Sequence, residues 1–168
     1  MKYADGPSVE KAVSINASVD DVWRLVTDIN LPAKFSSEFT GATWIDDGPA
    51  LQSRFTGRNQ HPAVGEWETT SYVTRYEPPH VFGWDVSDPE NPSASWWFTL
   101  SEDEHGVVLR QGCRLGPGPS GLTPAIEAMP DKEERIVARR LAEHEANIEA
   151  TLQGIKKLAE ESRSGDST

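Results

Sequence analysis

Four histidines, His61, His80, His105 and His144, and one cysteine, Cys113, are the side chains of this sequence best suited to moving a proton or attacking a carbon centre. His61, His80 and His105 fall in polar or proline-containing turns and read as exposed. His144 differs. It fills the step between Leu141 and Ile148 in an apolar helical stripe, which turns its imidazole toward the core. A neutral ring there offers one donor and one acceptor, enough to hold a carbonyl or hydroxyl or to act as a general acid–base. The same position suits a core histidine satisfied by a backbone carbonyl or a neighbouring glutamate.

Cys113 has no base beside it and reads as a small buried hydrophobe. Glu66, Glu68 and Asp85 lie on the strand parity opposite the apolar face. The chain has no Gly-x-Ser-x-Gly, no His-x-x-x-His, no cysteine pair and no clustered acid pattern, so neither a metal nor a nucleotide cofactor is expected. Gly116 to Gly121 is glycine-rich but lacks the Lys-Ser/Thr and preceding-strand context of a phosphate loop.

These residues are positioned by strands and one long helix. Val9 to Ile15 alternates apolar and polar, as a first strand does. Ser18 offers a hydroxyl N-cap, with Asp20 and Asp21 in the first turn; Val19, Val22, Trp23, Val26 and Ile29 follow at helical spacing, and the helix is expected to end near Asn30. Strands follow over Phe39–Trp44, Gln52–Asn59, Glu66–Tyr76, Phe82–Val86, Ser95–Leu100 and Val107–Leu115, separated by Gly, Pro and Asp turns. Leu122–Met129 reads as a short helix broken by Pro130. Asp131 to Ser162 reads as a long helix with the stripe Val137, Leu141, His144, Ile148, Leu152, Ile155 and Ala159, with a frayed tail beyond it.

Alternation places Phe55, Asn59, Trp67, Thr69, Trp84, Trp96, Phe98, Leu109, Gln111 and Cys113 on inward faces. Large rings with scattered amides are the makeup of a ligand cavity more than of an aliphatic core. Phe55, Asn59, Trp67, Thr69, Trp84, Trp96, Phe98, Gln111, Cys113 and His144, with Met129 from the short helix, are therefore the candidate ligand-binding residues, and His144 is the one catalytic candidate.

At 168 residues the chain fits one domain, and a net charge of −11 disfavours nucleic acid and anionic membrane surfaces. The acidity is carried elsewhere than residues 131–163, within which seven basic and eight acidic residues nearly cancel. No stretch resembles a signal peptide or a membrane span, which points to a cytoplasmic protein without stable membrane insertion, monomeric or homodimeric.

The motif Ser18-Val19-Asp20-Asp21-Val22-Trp23 followed by Thr27-Asp28 resembles the first helix of the START-like superfamily. Phe55-x-Gly57-x-Asn59, Trp67-x-Thr69, Glu77-Pro78-Pro79-x-x-Phe82-x-Trp84 and Trp96-x-Phe98-x-Leu100 resemble its polyketide cyclase/dehydrase branch. Phe35 stands where that family commonly carries Trp. The resemblance covers about residues 9 to 160. It implies an α+β helix-grip fold, a curved antiparallel sheet of six or seven strands closed around the C-terminal helix.

Three functions follow from such a fold. A binder or carrier of a hydrophobic small molecule, the preferred reading, predicts a mainly apolar cavity. A cyclase or dehydratase predicts a histidine hydrogen-bonded to a second polar group inside that cavity. A partner-binding module predicts a filled core and an exposed apolar patch.

Overall fold

A computed structural model describes residues 1–166. Seven antiparallel strands form one sheet: β1 (Ser8–Ile15), β2 (Phe39–Trp44), β3 (Arg54–His61), β4 (Gly65–Glu77), β5 (Val81–Val86), β6 (Ala94–Asp103) and β7 (Gly106–Leu115). Their spatial order is β1-β7-β6-β5-β4-β3-β2. The expected closure does not occur. β1 and β2 are the two edges, and the helix α3 (Glu133–Asp166) lies across the concave side between them. The β1 edge is protected because α3 packs along it.

The helix α1 (Val19–Val26) starts where the hydroxyl cap requires, with Ser18 Oγ accepting from the Asp21 N–H at 3.2 Å. It ends at Val26 rather than near Asn30: Thr27 Oγ1 donates back to the Trp23 carbonyl, and Leu31–Lys34 forms a separate 3-10 turn. The short helix α2 (Thr123–Ala128) gives way to a 3-10 turn at Pro130–Lys132, so α3 begins at Glu133 instead of Asp131. Its backbone continues to Asp166, past Ser162; the rest of the tail, 167–168, lies outside the described residues. β7 runs directly into the Gly116–Gly121 segment, so a strand does precede that loop; the missing lysine, and Pro117 and Pro119, which remove two backbone N–H groups, separate it from a phosphate loop.

α3 runs along β1, with Glu133 accepting from the Tyr3 N–H, Glu145 paired with Lys11, and Lys156 donating to the Ser14 carbonyl. Its buried residues Val137, His144, Ile148, Leu152, Ile155 and Ala159 reproduce the predicted stripe, with Leu141 half-buried. Gly154 stands inside the helix for a packing reason: a Cβ there would lie 2.4 Å from the Phe35 ring.

Candidate functional site

Strand register sorts the concave face into rows. One row joins Val13, Leu109 and Leu100; the next joins Lys11, Gln111, Phe98 and Phe82; a third joins Val9, Cys113, Trp96 and Trp84. The first row is buried at Leu100 and Leu109, and α1 plugs that end with Val22 and Val26 while Trp23 packs on Tyr76 and Phe82. A register shift between Val73 and Arg75 brings Tyr76 onto this face, which strict alternation from Val73 would not do.

In the third row the burial relaxes on either side of the fully buried Cys113. Trp84 and Trp96 are half-buried although both point to the concave side, and so are Asn59, Trp67 and Thr69 on the β3–β4 hairpin beyond the end of β5. Rings there form a continuous wall, with Trp44–Phe55, Phe55–Trp84 and Trp84–Phe98 centroids 5.4, 5.8 and 6.2 Å apart. Phe55 and Phe98 are fully buried behind it.

His144 meets Trp96 edge to face, with ring centroids 4.9 Å apart. Burial, reinforced by the nearby Arg140 charge, lowers its pKa to about 3, so the imidazole is neutral at pH 7. Cys113 is fully buried, and burial pushes its thiol far above the usual range; a thiolate nucleophile is not available there. Gln111, 4% exposed, carries a buried side-chain oxygen with no hydrogen-bond partner among the described residues. Met129, 40% exposed, caps the end of α2 outside the packed interior.

The structure also joins residues that the sequence leaves far apart. Arg140 donates to both oxygens of Glu38 at 2.6 and 2.7 Å, Glu143 meets His61 Nε2 at 2.5 Å, and Asn147 accepts from the Ser37 N–H and hydroxyl at 3.1 Å. His61 is thus mostly buried, not the exposed turn residue expected. Extending the alternation Phe55, Gly57, Asn59 by one step would have placed it on the inner face. The three contacts tie α3 to the far half of the sheet and frame one side of the half-buried aromatic wall.

Glu38, His61 and Glu143 bring ligand atoms within 4.8 Å of one another, an arrangement of metal-ligand type that linear spacing did not reveal. Its chemistry favours a clasp. Both Glu38 oxygens already face the Arg140 guanidinium. His61 Nδ1 accepts from the Ala63 N–H, which puts the ring proton on Nε2 toward Glu143. A histidine bound to metal through Nε2 carries its proton on the other nitrogen, where Ala63 here presents a second donor.

A groove of about 440 Å³ is lined by Leu51, Gln52, Tyr72, Val73, Thr74 and Pro89, none of them a residue of the aromatic wall.

Residues 6–160 match the model of the family described as polyketide cyclase / dehydrase and lipid transport. The chain belongs to this family. A polyketide-cyclase-like protein from Corynebacterium glutamicum is 32% identical, with 91% of each chain covered and a TM-score of 0.64. The di-domain ARO/CYC StfQ from the steffimycin biosynthetic pathway is 19% identical, TM-score 0.71; 94% of this chain corresponds to 52% of that one. An AHSA1-like protein from Aeromonas hydrophila is 12% identical, TM-score 0.58, covering 90% of this chain and 94% of that chain. The last two are likenesses of fold. No curated protein matches the chain. Among the described residues no helix is long and apolar enough to cross a membrane.

Proposed function

We propose that this chain acts as a single-domain, cytoplasmic binder of a small, mainly hydrophobic molecule, lipid- or polyketide-like, held between the sheet and α3. The observation that carries this reading is the contrast between the two ends of the concave face. The α1 end is packed with buried aliphatics, while Trp67, Trp84 and Trp96 at the other end point inward yet remain accessible. Close-packed interiors do not leave inward rings exposed unless something else is meant to cover them. Family membership supports the same class of ligand.

A cyclase or dehydratase in the same cavity is less well supported. Such chemistry needs a histidine coupled to a second polar group, and among the described residues the His144 imidazole contacts the Trp96 ring instead of a hydrogen-bonding partner. A pKa near 3 also leaves it a poor proton donor at neutral pH.

The test is native mass spectrometry of the purified chain, followed by titration with the neutral apolar dye Nile red. A retained apolar molecule, or saturable dye binding weakened by Trp96→Ala, is expected. Absence of saturable binding, with no co-purified molecule, overturns the reading.

A further inference from the structure

We infer that Gln111 is a specificity-determining residue that selects a neutral ligand bearing a hydroxyl or N–H donor at its inner end, against ethers and carboxylates of the same shape. The inference rests on the cavity proposed above and adds which polar chemistry the cavity takes.

The position of Gln111 is the first support. It stands at the boundary between the packed row of Leu100 and Leu109 and the row of Trp84, Trp96 and Cys113. Its neighbours on its own strand face are Leu109 and Cys113, both fully buried and neither able to donate a strong hydrogen bond. Across the sheet it is flanked by Phe98 and by Lys11, whose ammonium is engaged with Glu145 at 2.8 Å.

The orphaned oxygen is the second. A buried amide oxygen without a partner destabilises the fold, and such groups are uncommon in native interiors. An apolar side chain of the same volume would remove the penalty. Retaining an acceptor beneath the half-buried Trp84 and Trp96 makes sense when a ligand that parts these rings supplies the missing donor.

Charge is the third. On the concave side Arg140 is held by both oxygens of Glu38, and Lys11 is held by Glu145. Neither is left to receive a carboxylate, and the neutral His144 ring adds no positive charge. An anionic head would exchange its hydration for aromatic faces and a single neutral amide, with no cation to balance it, which is unfavourable.

Calorimetric titration of the full chain with naphthol, methoxynaphthalene and naphthoate at pH 7.5 tests this, the second variant arm being Gln111→Met. Wild type is expected to bind naphthol about five- to tenfold more tightly than methoxynaphthalene, the worth of one hydrogen bond, and naphthoate more weakly than either. In Gln111→Met the naphthol preference should disappear while methoxynaphthalene affinity holds or improves, and the melting temperature should stay level or rise. Equal wild-type affinity for naphthol and methoxynaphthalene, or a preference surviving in Gln111→Met, overturns the inference and leaves the cavity in place. A lowered melting temperature in Gln111→Met, marking the amide as structural, also counts against it. Failure of all three probes to bind removes the cavity reading and this inference together.

Discussion

Trp96 and His144 meet edge to face, with centroids 4.9 Å apart and planes at 83°. The contact joins β6 to the middle of α3, where burial, with the Arg140 charge, sets the protonation state of the histidine. An imidazolium would have to be formed inside apolar packing beside the Arg140 guanidinium, with only Glu38 opposing that cost.

This predicts a pH signature. The folded-state pKa near 3 lies below the unfolded value of about 6.5. Between them the unfolded chain binds a proton that the folded chain refuses, so stability rises with pH through this window and is full above it. At pH 4.5 the deficit from this one group is of order 2–3 kcal/mol. Denaturant unfolding of wild type and His144→Phe at pH 7.5 and 4.5 checks it: the difference between the two proteins should shift in favour of the mutant at low pH. A difference independent of pH would refute the buried neutral assignment.

Gly154→Ala sets two effects against each other. In an exposed helix the change would stabilise by about 1 kcal/mol. Here the new Cβ would sit 2.4 Å from the Phe35 ring, and overpacking costs about 1–3 kcal/mol. A net loss is expected, and the double variant Gly154→Ala with Phe35→Ala should cost less than the sum of the two singles. Additive losses would mean that the ring and the helix do not touch in solution.

The Glu38–Arg140 pair is mostly buried, at 12% and 18% side-chain exposure. Removing Glu38 leaves Arg140 only the longer 3.8 Å contact with Glu143, and removing Arg140 leaves Glu38 without its cation, so Glu38→Gln or Arg140→Met should each cost about 2–4 kcal/mol, and the double variant should recover much of it. Chemical denaturation of the four proteins gives the cycle. A coupling energy near zero would show that the clasp is open in solution.

Trp96→Ala separates wall from core. A fully packed tryptophan loses about 3–5 kcal/mol on truncation. Half-buried Trp96 should lose clearly less, about 1–3 kcal/mol, while Nile red affinity falls. A loss at the full core value with dye binding unchanged would place the ligand elsewhere.

Local periodicity made much of this architecture readable. The strand runs around Phe55, Val73, Trp84, Phe98 and Cys113, the Ser18 cap and the α3 stripe through His144 all follow from residue types at spacings of two or three to four. Such patterns bias each segment before any distant partner is met, which is why the inward residues were identifiable one by one.

What alternation cannot express is how far the sheet bends and which remote groups that bend brings together. Glu38, His61 and Arg140 come from a loop, a strand end and a helix, the first and last 102 residues apart. Their clasp exists only because the β3–β4 hairpin curls over α3. The open β1 and β2 edges, the early end of α1 at Thr27 and the bulge that turns Tyr76 inward were likewise decided by three-dimensional packing. So was the isolation of the Gln111 oxygen. Whether a buried acceptor finds a donor depends on every side chain that closes over it, and those neighbours are assembled only when the helix docks on the sheet.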